Sequence, residues 1–214
     1  MGTLVTDLRR ESGEPEAVLE VDSQIKSRER VRDLAEVYTH EREVTAMLDF
    51  VSDMFEAIDS TFLEPACGNG NFLVQILARK LALVPNSVHD GPTLDFVVLR
   101  AVASIYAVDI NEENVAEAHE RMTRVVLDEF ERRDAAVLPG LRAALRAILE
   151  TNVVCGDALN GASEIQFVEW EVADGERFVR TPFPLEEPEH DLFYVPPEPL
   201  AATHYSELET SSDR

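Results

Sequence analysis

Apolar and polar residues along 61–83 follow a pattern that predicts a strand, a tight turn and a helix. The apolar pair Phe62–Leu63 predicts the strand. Gly68 and Gly70 follow in the turn, where glycine adopts backbone conformations that are costly for other residues. An apolar stripe at helical spacing then predicts a helix over 71–83. In α/β proteins this arrangement holds a cofactor at the carboxyl edge of a sheet.

Two more strand patterns follow along the chain, each ending near an acidic residue. They predict a second strand over 104–110 and a third strand with its exit loop over 152–159, and helices over 94–102, 112–131 and 141–148. The acidic residues are Asp109 in the second strand and Asp157 in the exit loop, and Glu64 ends the first strand. We expect all three carboxylates at the carboxyl ends of adjacent parallel strands, where α/β sheets bind ligands.

A further helix is predicted before the first strand. Thr39 is a candidate N-cap, and the acidic residues within 41–43 favour the helix dipole in the first turn. Apolar residues at i, i+3, i+4 and i+7 spacing predict that one face of this helix lies in the core. These residues are Val44, Met47, Leu48, Val51, Met54 and Phe55.

Composition divides the chain into three parts. We expect residues 1–24 to form a disordered N-terminal arm, because charges, Gly and Pro dominate there. Residues 25–180 form the predicted globular domain, which ends in a hairpin across Asp174–Gly175. Residues 181–214 are acidic and rich in Pro, which predicts an extended or disordered tail.

The charge of the chain opposes direct DNA binding. It has 42 acidic and 19 basic residues, a formal net charge of -23. DNA binding relies on basic groups that displace counterions from phosphates, so we expect DNA to repel the isolated chain. Either a basic partner supplies DNA contacts or the chain does not touch DNA, and an acidic surface can also serve solubility alone. The basic cluster within 26–32 is either a solvated helix face or a nucleic-acid site.

The remaining composition points to a cytoplasmic protein without a metal. No run of about 18 apolar residues occurs, so we expect no transmembrane helix and no membrane partner. Residues 1–20 resemble neither a signal peptide nor a basic transit peptide. Cys67 and Cys155 are the two cysteines, far apart in sequence, which fits a reducing compartment. No His/Cys cluster has metal-ligand spacing, so no metal site is expected.

The nine residues Glu64–Phe72 read Glu-Pro-Ala-Cys-Gly-Asn-Gly-Asn-Phe. This motif is more specific than the general pattern of a strand, a glycine turn and a helix. It resembles the S-adenosylmethionine (SAM) loop of adenine-specific (amino) DNA methyltransferases of restriction-modification systems. The strand ending in Asp109–Ile110 and the loop 156–159, Gly-Asp-Ala-Leu, resemble two further motifs of that family in the same order. Tyr38–Thr39 resembles part of a fourth motif. The resemblance covers about residues 26–160.

The resemblance implies an α/β, Rossmann-like SAM-dependent methyltransferase fold with a truncated sheet, an extra N-terminal helix and an extended C-terminal tail. In that family Asp109 would accept the ribose hydroxyls and Asp157 the adenine amino group of SAM. Asp109 could instead cap the following helix, although Asn111 is the better cap residue. The residues that the resemblance assigns to the cofactor are Tyr38, Thr39, Glu64, Ala66, Gly68, Gly70, Asn71, Phe72, Asp109, Ile110, Asp157 and Ala158.

The catalytic Asp/Asn-Pro-Pro-aromatic loop of that family has no close match. The nearest stretch has Pro196 and Pro197 after an apolar run. Val195 cannot accept a hydrogen bond from a target amino group, and Glu198 cannot stack on a flipped base. This stretch is either a degenerate remnant or a chance match in a Pro-rich tail, and the catalytic residues stay unassigned.

The resemblance implies a SAM-dependent DNA adenine methyltransferase, or the cofactor-binding subunit of a restriction-modification system. A target-recognition or nuclease subunit would then supply the DNA contacts. The alternative is a catalytically inactive methyltransferase-like interaction protein. A methyltransferase for another substrate is a third possibility. A nicotinamide-binding protein is least favoured, because its phosphate turn requires G-x-G-x-x-G.

Overall fold

The computed structural model describes residues 39–186 and 195–208. The chain divides into two compact units, Met1–Tyr38 and Thr39–Arg214, and all described residues belong to the second. The predicted N-terminal arm, the basic cluster and Tyr38 therefore lie outside the described residues.

The three predicted strands form one parallel sheet. They are β1 (Phe62–Glu64), β2 (Ile105–Asp109) and β3 (Val153–Cys155), in the order β1-β2-β3. Their carboxyl ends meet at one edge, since Glu64 pairs with Ala107 and Asp109 pairs with Cys155. The prediction of an α/β protein with a short parallel sheet is confirmed.

Five α-helices lie in the described part of the chain. They are α1 (Glu41–Phe50), α2 (Asn71–Ala82), α3 (Gly91–Ala103), α4 (Glu112–Arg132) and α5 (Pro139–Asn152). Apolar side chains of α2 to α5 pack with Ile105 and Ala107 of β2 in the main core. Among the described residues, no helix is both long enough and apolar enough to cross a membrane.

A buried lysine fixes the amino end of the sheet. Lys80 of α2 is fully buried, and its Nζ donates hydrogen bonds to the carbonyls of Ile58 and Ser60 and to Oγ of Ser104, the last at 2.9 Å. Burial lowers the pKa of Lys80 to about 8. These bonds hold the segment before β1 against the start of β2, so Lys80 is a structural group at the end opposite to Glu64.

The two edges of the parallel sheet differ. Gly156 N donates a hydrogen bond to the Asp109 carbonyl at 3.0 Å, so the backbone groups of Val154 and Gly156 point towards β2. Because backbone groups alternate in direction along a strand, the Val153 carbonyl points away from β2. His119 of α4 closes that outer edge by donating from Nε2 to the Val153 carbonyl at 2.8 Å. At the other edge, β1 pairs only with β2 among the described residues.

A second, antiparallel sheet covers the other face of β2. It consists of β4 (Gln166–Ala173), β5 (Arg177–Pro184) and the short β6 (Thr203–His204). The predicted hairpin across the Asp174–Gly175 turn is confirmed by the pairing of β4 with β5. Tyr106 of β2 packs against Phe167 and Phe183 of the hairpin, with ring centroids 5.3 and 5.6 Å apart.

The expected extended or disordered tail from residue 181 is wrong for part of that range. Strand β5 continues to Pro184, and residues 203–208 fold back onto the domain. The hydroxyl of Tyr205 donates to Oδ2 of Asp95 in α3 at 2.9 Å, and both residues are buried. Tyr205 and Leu208 are buried, which the average composition of an acidic, Pro-rich segment does not reveal.

The start of α1 also differs from the prediction. The N-cap is His40, whose Nδ1 accepts a hydrogen bond from Arg42 N at 3.3 Å, and not Thr39. Thr39 lies one residue earlier, where its carbonyl accepts a hydrogen bond from the side chain of Asn71.

The predicted burial of the N-terminal helix is wrong for three of its six residues. Val44 and Leu48 are buried and Phe55 is partly buried, but Met47, Val51 and Met54 are exposed, as is the neighbouring Phe50. The physical reason is that α1 ends at Phe50 and a 3₁₀ turn over Ser52–Phe55 follows. Because the 3₁₀ geometry changes the angle per residue, the stripe does not continue on one face.

Candidate functional site

The glycine turn between β1 and α2 requires glycine at two positions. Gly68 and Gly70 have φ values of +53° and +86°, in the left-handed region. Gly70 is also the N-cap of α2, and a Cβ there would lie 3.0 Å from Cβ of Ala118. The turn is thus shaped by backbone conformation and by its close approach to α4.

Asp109 at the end of β2 holds this turn in place. Its Oδ2 accepts a hydrogen bond from Gly68 N at 2.8 Å. Its Oδ1 accepts from Asn111 N at 2.9 Å and from Asn114 Nδ2 at 3.1 Å. Since a carboxylate oxygen has about two lone-pair sites, Oδ1 is fully used and Oδ2 retains one site.

The alternative role of Asp109 as a helix cap is excluded. Asn111 is the N-cap of α4, because its side chain accepts a hydrogen bond from Glu113 N at 2.9 Å. The prediction that Asn111 is the cap is confirmed, and the free site on Asp109 can accept one ligand hydroxyl.

Glu64 lies near Asp109 at the same sheet edge. Its Oε1 accepts a hydrogen bond from Ala66 N at 3.2 Å, and Oε2 has no bonding partner among the described residues. The thiol of Cys67 is buried beside the turn, and the charges of both acids affect its pKa. Burial first, then the negative charges of Asp109 and Glu64, raise the pKa of Cys67 to about 12. The thiol therefore stays protonated, and the two carboxylates form one anionic edge.

Asp157 follows β3 in a loop that its own side chain organises. Its Oδ1 accepts hydrogen bonds from Leu159 N at 2.9 Å and Asn160 N at 3.1 Å, and its Oδ2 accepts from Asn160 Nδ2 at 2.9 Å. The Asn160 side chain, then the backbone donors, lower the pKa of Asp157. The carboxylate therefore stays ionised and keeps acceptor capacity on Oδ2.

Sequence reasoning missed two contributions to this edge. Leu159, directly after the predicted Asp157–Ala158, is 93% exposed, and the predicted Ile110 is exposed beside Asp109. An apolar residue adjoining a predicted acidic position was the available signal for Leu159. Arg121 of α4 donates to the Asn69 carbonyl at 2.9 Å and so fixes the glycine turn, and no local pattern predicted this contact.

The other predicted residues are dispersed around the edge. Thr39 is joined to the start of α2 by the 3.0 Å hydrogen bond from Asn71. Phe72, in the first turn of α2, packs against the main core, and Ala158 packs against the smaller cluster beneath the hairpin. Tyr38 lies outside the described residues.

Pro196 and Pro197 do not lie in a strand-and-turn geometry. Both are exposed in a stretch without regular secondary structure, and Val195 before them is exposed as well. The apolar residues 192–194 that lead into this stretch lie outside the described residues.

Comparison with models of protein families, with curated proteins and with solved structures finds no match. In residues 39–186 and 195–208, no group of three or more His, Cys, Asp and Glu side chains is placed to hold a metal ion.

Proposed function

We propose that this chain is a SAM-dependent methyltransferase of Rossmann-like fold, most similar in its site to adenine-specific DNA methyltransferases. Its role is that of a cofactor-binding subunit in the cytoplasm. The observation that carries the proposal is the 2.8 Å hydrogen bond from Gly68 N to Asp109 Oδ2, which joins the glycine turn of β1 to the acid of β2. The carboxyl edge of a parallel sheet is where such folds bind ligands.

The donor and acceptor groups present fit SAM. The unbonded Oε2 of Glu64 suits an ammonium or hydroxyl group, and Oδ2 of Asp109 has one site for a ribose hydroxyl. Oδ2 of Asp157 can accept a hydrogen bond from an adenine amino group, and the exposed Ile110 and Leu159 offer apolar surface to a purine ring. SAM would supply a methyl group on a sulfonium, which transfers without a strong base.

The proposal includes a basic partner that supplies the DNA contacts. The net charge of -23 opposes binding to phosphates, and Val195 and Glu198 lack the acceptor and aromatic groups that a target loop needs. The target adenine would therefore be held by another polypeptide, and this chain would contact DNA only indirectly.

Calorimetric titration of the full chain with SAM tests cofactor binding. Glu64→Gln and Asp157→Asn should each weaken binding about tenfold, because each removes a charge-assisted acceptor. Glu131→Gln, an exposed position at the far end of α4, is the matched control and should bind as the wild type does. Absence of SAM binding by the wild-type chain would refute the proposal.

A catalytically inactive, methyltransferase-like interaction protein is the second candidate. Three acceptor sites of Asp109 are used by hydrogen bonds within the chain, which favours this candidate. A bidentate contact with ribose would need one free site on each carboxylate oxygen, and only Oδ2 has one. Transfer of labelled methyl from SAM to adenine-containing DNA by the purified chain would exclude this candidate. SAM binding without transfer is the result expected of a subunit that needs its partner.

A further inference from the structure

Helix α1 and the 3₁₀ turn after it present apolar side chains to solvent. Phe50 is 91% exposed, Met47 is 54% exposed and Met54 is 52% exposed, and Val51 between them is also exposed. These four residues, here called the apolar face, lie within positions 47–54, at the end of α1 and in the turn after it. An exposed Phe alone leaves on the order of 200 Å² of apolar area in water, so the face is costly unless something covers it.

The side of α1 that contacts the domain buries Val44 and Leu48 and adds polar contacts with α2. Gln75 Nε2 of α2 donates to Glu41 Oε1 at 3.0 Å. Arg79 of α2 donates to the Thr45 carbonyl at 3.1 Å and to Asp49 Oδ1 at 2.7 Å. At about 100° per residue, Phe50 lies about 160° around the helix from the buried Leu48. The apolar arc of α1 is therefore much wider than its contact with the domain uses.

The apolar face is held in a fixed position. Phe55, in the 3₁₀ turn, stacks on Phe62 of β1 with centroids 4.7 Å apart, and the guanidinium of Arg79 lies 5.5 Å from the Phe55 ring centroid. These contacts, together with those of Arg79 with Thr45 and Asp49, hold the segment against β1 and α2. The exposure of the face is thus a property of the packed domain and not of a frayed helix end.

Charge indicates what would cover the apolar face. Residues 43–56 contain four acidic residues and no Lys, Arg or His; Arg42 is exposed before them, and Arg79 of α2 pairs with Asp49. Glu43, Asp53 and Glu56 are exposed next to the face in sequence and form an acidic rim. An apolar centre with an anionic rim is complementary to a cationic amphipathic partner.

We propose that the apolar face docks a basic amphipathic helix of a separate polypeptide. Apolar side chains of that helix would pack on Phe50 and Met47, and its flanking Lys and Arg side chains would pair with the acidic rim. Apolar burial supplies the affinity, while the rim charges set orientation and salt dependence. The inference does not depend on SAM binding, so it can fail or succeed independently of the proposed function.

The test uses two fluorescent synthetic peptides and the full chain, with binding measured by anisotropy. One peptide is a helix of Leu and Lys with Leu at i, i+3, i+4 and i+7, and the other replaces every Lys by Glu. The basic peptide should bind the wild type, and Phe50→Ser or Met47→Ser should weaken that binding about tenfold or more. Val172→Ser, at a half-exposed apolar position on β4, is the matched control and should bind normally.

Several outcomes would overturn the proposal. No binding of the basic peptide, equal binding of the acidic peptide, or equal weakening by Val172→Ser would each do so. Circular dichroism spectra of the Ser variants that match the wild type would show that weaker binding is not caused by unfolding.

Two other occupants of the apolar face are tested separately. A concentration-dependent increase of mass in light scattering, abolished by Phe50→Ser, would assign the face to a second copy of this chain. A polarity-sensitive dye on Met47→Cys, in a Cys155→Ser background, should report water exposure in the monomer. A shielded dye would mean that the chain covers its own face. Either result would refute a separate partner.

Discussion

The carboxylate of Asp109 accepts three hydrogen bonds from the chain itself, from Gly68, Asn111 and Asn114. One of these donors is 41 residues away and two are local. A residue that the sequence suggests as a ligand group is therefore also the link between the glycine turn and the start of α4. Loss of SAM binding in an Asp109 variant would not by itself identify a ribose contact.

Asp109→Ala should lower the free energy of unfolding by about 2–4 kcal/mol, because three donors lose a charged acceptor. Urea denaturation of the full chain measures this. Asp157→Ala, which loses bonds only within its own exposed loop, should cost clearly less. Equal effects of the two substitutions would show that the Gly68 contact contributes little.

Asp95 makes stability depend on pH. Burial raises its pKa to about 6, the Tyr205 hydrogen bond opposes that rise, and the charge of Glu176 adds to it. A carboxyl group with a raised folded-state pKa contributes stability below its ordinary pKa of about 4, and that contribution is lost as the pH rises through about 6.

Asp95→Asn should abolish this dependence, since the amide cannot ionise. Relative to the wild type, the variant should gain about 1–3 kcal/mol between about pH 4 and about pH 8. At about pH 4 the variant should be slightly less stable, because its amide nitrogen replaces Oδ1, an atom without a hydrogen-bond partner among the described residues. Urea denaturation at both pH values measures the difference, and a constant difference would contradict this role.

At the scale of elements, the docking of the tail depends on one glycine in α5. A Cβ at Gly140 would lie 2.6 Å from Cβ and 2.7 Å from Cα of Ser206, in the 3₁₀ turn Tyr205–Glu207. Glycine is ordinarily a poor helix residue, but here its missing side chain lets the tail approach α5. The close approach positions Tyr205 to reach Asp95.

Gly140→Ala should therefore destabilise the protein, although the same change in an open helix stabilises by up to about 1 kcal/mol. We expect a loss of about 1–3 kcal/mol and faster hydrogen exchange of the Tyr205 amide, which is bonded to the Glu176 carbonyl at 3.1 Å. Arg142→Ala, at an exposed position of α5, is the control and should leave this exchange unchanged. Unchanged exchange in Gly140→Ala would contradict the close packing.

Sequence patterns predicted elements well where the signal was local. The helices starting after the glycine turn and after Asn111 were foreseen from periodicity and capping, and so was the β4–β5 hairpin. Tail docking was not foreseen, because Tyr205 finds its partner Asp95 110 residues away. The burial of Val44 and Leu48 in α1 was predicted correctly and that of Met47 was not, because periodicity identifies an apolar stripe but not how much of it the domain covers.

At the scale of the molecule, the net charge of -23 opposes compaction. Raising KCl from about 0.1 M to about 1 M shortens the Debye length from about 10 Å to about 3 Å. We therefore expect the free energy of unfolding in urea, an uncharged denaturant, to rise by about 1–3 kcal/mol. A stability that is flat or falls with salt would show that local ion pairs outweigh the overall repulsion.

Composition predicted this charge balance, and strand patterns predicted the sheet edge at which Glu64 and Asp109 meet. Neither could reveal that three of the acceptor sites on Asp109 are occupied by the chain, because hydrogen-bond partners depend on tertiary approach. Nor could they predict the contact of Arg121 with the Asn69 carbonyl, which joins residues 52 positions apart.

The unequal edges of the parallel sheet bear on aggregation. His119 seals the outer carbonyl of β3, and β1 pairs with β2 alone among the described residues. An open strand edge is a template for pairing with another chain. Two copies joined through β1 would each use this same edge, so the contact closes on itself as a two-fold pair. A strand added at β3 would have to compete with His119 for the Val153 carbonyl, which disfavours growth of a fibre through the parallel sheet.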